Sequence, residues 1–359
     1  MVNEMKKLLN AYMPKLLNLS EVLYSGNLSF GKYSQQFQSA VSNLLSLDNL
    51  LLVSDYTNAI HIGLKVLDMK PGDEILMSPL NCLANTVPYV QYGLKIRFVD
   101  VDPNSGNLCI NKLKTRITPR SKLVVASNFA GNTANIYGIR GVCNEAGLKL
   151  IIDNLENFNP RSIANKLMNT DEIALYSFGP TKIPNGLGSA SVAFYSKEQY
   201  SYSELLRDLG IDRNKFRLSN GEINPNLDIK EVGFSAMTNE ISSYIAMEQL
   251  KDYNSLFTKA ETNFSYLESN ICEMVGTEVK VLKSKYGCNY WVFGFLCADR
   301  EKVVKVLREK YSLSTSSIHY DLSKYSVFEN NNEDDVFPNL NKFLSEYIAA
   351  PCGWWIDEY

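Results

Sequence analysis

Residues 50–77 read LLLVSDYTNAIHIGLKVLDMKPGDEILM, and the pattern in this stretch decides the fold. Leu50–Ser54 is a short apolar run of strand length. Thr57–Asp68 then takes up helical periodicity, and Glu74–Met77 returns to a strand. Outward from there the alternation continues. A helix is expected across Leu83–Tyr92, strands at Lys95–Val99 (KIRFV) and Lys122–Ser127 (KLVVAS), a helix at Tyr137–Ala146, and strands at Leu148–Asp153 and Ile173–Phe178. Helices alternating with mostly apolar strands predict an α/β fold, a mostly parallel sheet covered by helices on both faces. Ligands of such sheets sit beyond the carboxyl ends of the strands, which directs attention to the loops after Ser54, Ser127, Asp153 and Phe178.

The flanks of this block read differently. The N-terminal MVNEMKKLLNAYMPKLLNLSEVLYSG has leucines at helical spacing and predicts an amphipathic helix rather than a signal peptide. Residues 200–232 are polar and irregular, with NGEINPNLD a surface loop, and a long helix begins near Met237. Strands at Glu278–Leu282 and Tyr290–Leu296, then a helix at Arg300–Lys310, make a smaller C-terminal α/β domain. The expected division is a large domain over 1–250 and a small one over 251–359. Glu329–Asp335 (ENNNEDD) reads as a solvated turn, and Trp354 and Trp355 as packing for the small domain.

Composition narrows the chemistry. The 359 residues carry 36 Lys+Arg against 39 Asp+Glu, a net charge of −3, which lacks the basic field a nucleic-acid protein needs. The longest apolar runs, such as Trp291–Ala298, fall well short of the ~20 residues of a membrane span. Cysteines at 82, 109, 143, 272, 288, 297 and 352 form no CxxC pair, and an odd, unpatterned set favours a reducing, cytoplasmic setting. With His61 and His319 the only histidines, no metal site is expected.

One lysine stands apart. Lys182 lies in ALYSFGPTKIPNGLGSASVAF, past a strand end and among Gly179, Pro180, Pro184, Gly186 and Gly188. It is either part of a structural turn or an amine that traps carbonyls once desolvation lowers its pKa. Asp153 ends its strand, either bracing the next loop or keeping a pyridinium nitrogen protonated beside a lysine-bound pyridoxal phosphate. Glu156 follows on the same loop. At Asp55–Thr57 a strand turns into a helix, whose free N–H groups suit a phosphate, although Asp55 also reads as a simple N-cap. His61 reads as a packed side chain. GLGSAS at 186–191 is not GxGxxG and precedes a strand, so no dinucleotide site is read there.

Taken together, these segments resemble the DegT/DnrJ/EryC1/StrS family of sugar-nucleotide aminotransferases, of fold type I. The resemblance runs from about residue 20 to the C-terminus. VLYSGNLSFGKYSQQFQ, the block over 69–102 with its GDE and FVDVD, GLKLIIDNLENF, YSFGPTK and GFSAMTNEISSYIAMEQL each match a family block. By that resemblance Lys182 would form the internal Schiff base with pyridoxal 5'-phosphate and shuttle the proton between the substrate carbon and the cofactor. Asp153 would hold the ring nitrogen, and Glu156 would lie beside the phenolic oxygen. Ser177 with Tyr56 and Thr57 would hold the phosphate. Ser235 falls where a partner subunit contributes to that phosphate, which implies a homodimer with shared sites. His319 and Tyr320 resemble a sugar-site loop.

The family's Ser-Gly-Thr here reads Asp55-Tyr56-Thr57, placing a carboxylate beside the phosphate. Its ring-stacking aromatic falls at Cys82. The implied reaction moves an amino group, with glutamate as donor, to a nucleotide-linked keto-deoxysugar, with Glu156 pointing to C4. Two alternatives stand beside it: a family member that has lost catalysis and serves as a binding or regulatory protein, and a pyridoxal enzyme acting on a small amino acid.

Overall fold

The computed structural model describes residues 5–16, 18–162, 166–328 and 336–359. Strands β1 (Leu50–Val53), β2 (Glu74–Met77), β3 (Lys95–Phe98), β4 (Ser121–Ser127), β5 (Lys149–Asn154), β6 (Glu172–Phe178) and β7 (Ser189–Phe194) form a sheet in the order β1-β7-β6-β5-β4-β2-β3. The neighbours from β3 to β6 pair in parallel, whereas β7 runs antiparallel to both β6 and β1. Every strand except β7 therefore ends on the same edge.

Side chains alternate across a strand, so an all-apolar strand must be covered on both faces. Leu51, Val53, Ile75, Met77, Val125, Ile151 and Leu175 enter one core. Leu50, Leu52, Leu76, Val124, Leu150, Ile152 and Tyr176 enter the other. The helices that cover them are α2 (Lys32–Leu45), α3 (Tyr56–Val66), α4 (Leu83–Gln91), α5 (Ile110–Arg116), α6 (Ile136–Ala146) and α7 (Lys197–Arg207), while the short α1 (Leu19–Leu23) and α8 (Arg213–Phe216) add nothing to either core.

Helix α9 (Glu240–Val275) leaves this body for a second one. There β8 (Lys280–Val281), β9 (Phe293–Leu296) and β10 (Tyr347–Ala350) form an antiparallel sheet, joined by α10 (Arg300–Tyr311) and α11 (Pro338–Glu346). Asn239 caps the start of α9, and Gly276 ends it in the left-handed region. Ala246, Tyr253 and Phe257 of α9 pack under the large sheet, whereas Phe264, Leu267 and Ile271 pack with β9 and β10. Among the described residues no helix is long and apolar enough to cross a membrane.

Several expectations need correction. The 250/251 division cuts through α9, because one amphipathic helix serves both cores. Residues 5–16 are not helical: Lys6 pairs with Leu313, its N–H donating to the Ser312 carbonyl at 2.7 Å, while Leu8 and Leu9 pack on the core. Pro14 opposes a helix there in any case. The stretch expected to be irregular from 200 begins inside α7, whose Ser196–Gln199 capping box is a local signal for a helix start. Strand β8 is shorter than expected. Trp354 stacks edge-on against Tyr12, and Trp355 donates to the Lys7 carbonyl, so both tie down the N-terminal segment. Glu329–Asp335 lies outside the described residues.

Candidate active site

Lys182 sits where β6 hands over to β7. Its loop folds back on the strand end, with the Gly186 and Gly188 N–H groups donating to the Phe178 carbonyl at 2.7 and 3.2 Å. The buried Gln249 of α9 clamps the loop from behind, accepting from Asn185 N–H at 2.7 Å and donating to its carbonyl at 2.8 Å. The Lys182 amine lies 3.7 Å from the centre of the Trp291 ring, and no oxygen among the described residues accepts a hydrogen bond from it. Burial lowers its pKa, against which the charges of Glu156, Cys82 and Asp153 pull upward.

Asp153, 1 % exposed at the end of β5, lies close enough to Lys182 for the two charges to interact. Its Oδ1 accepts from the Tyr56 hydroxyl and from Leu155 N–H at 2.9 Å. Its Oδ2 accepts from Ser127 Oγ at 2.8 Å and from Asn85 Nδ2. Burial still pushes the Asp153 pKa up, and the Tyr56, Leu155 and Ser127 donors only partly offset it. The sheet registers Ser127 beside Asp153 across β4 and β5, which is why a hydroxyl is at hand.

Glu156 is fixed from two sides. Its Oε2 accepts from Ala130 N–H at 2.8 Å, and its Oε1 meets His319 Nε2. Ala130 has φ 55°, a strained value for a residue with a side chain, and it aims that N–H at the carboxylate. Its neighbour Gly131, at φ 79°, has no room for a side chain, since a Cβ would lie 2.0 Å from Asn289 Oδ1. Asn289 in turn donates to the Glu156 carbonyl at 2.6 Å. Burial alone would raise the Glu156 pKa, but His319 and Lys182 bring it below the ordinary range.

The N-terminus of α3 opens on the same edge. Asp55 caps it, its Oδ1 accepting from Asn58 N–H at 2.8 Å and its Oδ2 from Asn58 Nδ2 at 2.7 Å and Ser54 Oγ at 2.6 Å. The N–H groups of Tyr56 and Thr57 meet no acceptor among the described residues. Asp55 therefore spends its carboxylate on the third N–H of the helix and on its neighbours. Ser177 lies near the end of β6, its Oγ accepting from Gly179 N–H at 3.3 Å.

Of the residues singled out in the sequence, Lys182, Asp153, Glu156, Tyr56 and Cys82 interact directly or through their charges. Cys82 stands at the N-cap of α4, its thiol pKa raised by burial. His319 turns to Glu156, and Tyr320 is 56 % exposed. Ser235 lies on the exposed strip between α8 and α9, bridged to Asp208. His61 is packed between Tyr92 and Phe234, with Nε2 at 2.9 Å from the Pro88 carbonyl. Asn85, Ser127, Ala130 and Trp291 had been given no role. Only Ser127 carried a signal, as the end of an apolar strand.

The family model described as the DegT/DnrJ/EryC1/StrS aminotransferase family matches residues 14–357. The chain is 22% identical to GDP-perosamine synthase of Vibrio cholerae over 93% of its own length and 89% of that protein's. It is 27% identical to the 3-oxo-glucose-6-phosphate:glutamate aminotransferase of Bacillus subtilis over 67% and 52%. Among solved structures, the sugar aminotransferase CalS13 of Micromonospora echinospora superposes with a TM-score of 0.85 at 22% identity, covering 98% of this chain and 95% of that one. NtdA of Bacillus subtilis, solved with bound cofactor PMP, gives 0.78 at 21% identity over 94% and 76%. The chain belongs to the DegT/DnrJ/EryC1/StrS aminotransferase family.

Proposed function

We propose that this protein moves an amino group from L-glutamate to C4 of a nucleotide-linked keto-deoxysugar, using pyridoxal 5'-phosphate, as a cytoplasmic homodimer with shared sites. The observation that carries the reading is the Lys182 amine. Among the described residues it has no hydrogen-bond acceptor, its pKa is lowered by burial, a tryptophan ring lies beside it, and the charges of two carboxylates act on it. A lysine holding a structure together would be tied to an acceptor; this one is left available as a nucleophile and base.

The residues present fit the cofactor at three points. The unpaired N–H groups of Tyr56 and Thr57, with Ser177 nearby in the fold, suit a phosphate. Lys182 faces the groups that would flank a ring. Asp153 suits a protonated ring nitrogen, though all four of its acceptor positions are filled from within the chain. When bound, pyridoxal phosphate supplies an electron sink and carries the amino group between donor and acceptor.

The chain's own groups supply the rest. Lys182 Nζ takes the proton from the substrate carbon and returns it. Trp291 covers one side of the amine. Glu156, held by Ala130 and His319, fixes a negative charge beside Lys182 and lines the acceptor side. The family supports an amino-acid donor, and relatives named for GDP-perosamine and for altrosamine linked to UDP support the nucleotide-sugar acceptor. The relative named for 3-oxo-glucose-6-phosphate favours a second acceptor class, a keto-sugar phosphate without a nucleotide.

The test is the visible absorption spectrum with added pyridoxal phosphate, before and after L-glutamate, in the wild type and in Lys182→Ala. A lysine-dependent band that glutamate bleaches is the expected result. No lysine-dependent band overturns the reading in favour of a family member without catalysis. Acceptors are then separated by turnover with nucleotide-linked and phosphorylated keto-sugars, and C4 by NMR of the product.

A further inference from the structure

We infer that the Tyr56 hydroxyl is a displaceable occupant of the Asp153 carboxylate, holding Oδ1 until a cofactor ring nitrogen takes its place. The inference rests on the cofactor reading above and adds a residue that sets how tightly the cofactor is held.

A carboxylate offers about four acceptor positions. Here Oδ1 takes Tyr56 O–H and Leu155 N–H, and Oδ2 takes Asn85 Nδ2 and Ser127 Oγ. A further donor must displace one of these. Leu155 N–H is fixed by the backbone of the turn that follows β5. Asn85 Nδ2 is also tied to Asn81 Oδ1 at 2.9 Å, and Ser127 Oγ receives Asn81 Nδ2 at 2.8 Å, so Asn81 braces both donors. The Tyr56 hydroxyl has Asp153 as its single hydrogen-bond partner among the described residues. Its ring springs from the first residue of α3, whose N–H groups suit the phosphate, and it reaches the carboxylate that suits the ring nitrogen. The phenol thus bridges the two ends of the proposed cofactor site. Tyr56 is 7 % exposed, so loading the site strands a buried hydroxyl, and the cofactor is held less tightly than its contacts would otherwise allow.

The test is calorimetric titration of the cofactor-free protein with pyridoxamine 5'-phosphate, which cannot react with Lys182, in the wild type and in Tyr56→Phe. Removing the hydroxyl is expected to tighten binding by about tenfold or more. Inorganic phosphate, which needs only the α3 N-terminus, is expected to bind both proteins equally, and that arm also shows that the variant is folded. A merely structural Tyr56–Asp153 bond predicts the opposite sign, because its loss would loosen Asp153. Equal or weaker binding by Tyr56→Phe, with a wild type that binds, overturns this inference alone. If neither protein takes up pyridoxamine or pyridoxal phosphate, the proposed function fails and this inference falls with it.

Discussion

At the residue scale the site is a balance of charges in a poorly solvated place. Asp153 meets four donors, so Asp153→Asn removes the charge and turns an N–H toward one of them. Turnover is expected to fall by about 100-fold or more while the protein stays folded, which kcat measured beside a thermal melt will check. A turnover within a few-fold of wild type would show that Asp153 is only a brace. Glu156 acts on Lys182 through its charge. Burial lowers the lysine's pKa and Glu156 is the largest influence raising it, so Glu156→Gln lowers it further. Capture of pyridoxal phosphate needs the free amine, and its rate therefore rises with pH through that pKa. In Glu156→Gln the midpoint of this rise is expected at lower pH than in wild type, read from absorbance traces across a pH series. A midpoint that stays put or moves up would remove Glu156 from the electrostatics of the lysine.

At the element scale, Glu240 shows how a helix start is built from a distance. It opens α9 yet caps α2, its Oε1 accepting from Gly31 N–H and Ser34 N–H at 3.0 and 2.9 Å, and its Oε2 from Tyr33 N–H at 2.9 Å. Burial alone would raise its pKa, but these donors and the Ser34 hydroxyl outweigh burial and bring it down. A carboxyl with a depressed folded pKa stabilises the fold above its unfolded value, about pH 4.3, and loses that contribution as pH falls through the folded value. Glu240→Gln is expected to cost about 1–3 kcal/mol near neutral pH, with the gap narrowing below about pH 4 in urea titrations. A gap that does not change with pH would assign the loss to shape rather than charge.

This long-range capping also explains what was legible in the sequence. Strands β1, β2, β4, β5 and β6 were legible because both of their faces are largely buried and their residues mostly apolar, and edge strand β3 (KIRF) because its apolar and charged residues alternate. Lys182, Asp153 and the α3 start were legible because they sit at strand ends. The reversed direction of β7 leaves no mark on an apolar run. The contacts of Trp291 with Lys182, His319 with Glu156, and Tyr56 with Asp153 join residues about 100 or more positions apart, and no local spacing encodes them.

At the scale of the whole molecule, the strip between α8 and α9 is the part least explained by a single chain. Ile223, Ile229 and Val232 are 58%, 47% and 82% exposed there, and Ser235 on the same strip is exposed as well. Apolar side chains left open in series mark a surface that another chain covers. If that chain is a second copy, each site draws Lys182 from one subunit and Ser235 from the other, and complementation tests this directly. Lys182→Ala removes the amine, and Ser235→Glu sets a negative charge against the phosphate where that contact is proposed, so each variant alone is expected to be inactive. Mixed after co-expression, half of the dimers carry both variants, and in those one site unites an intact Lys182 with an intact Ser235. About a quarter of wild-type activity is therefore expected to return, with a molecular mass near twice 40.5 kDa for every protein in the mixture. If each site is built within one chain, every site in the mixture carries one of the two lesions and no activity returns. Recovery thus depends on which subunit supplies Ser235 and not merely on dimer formation, since an unshared dimer has the same mass and stays inactive.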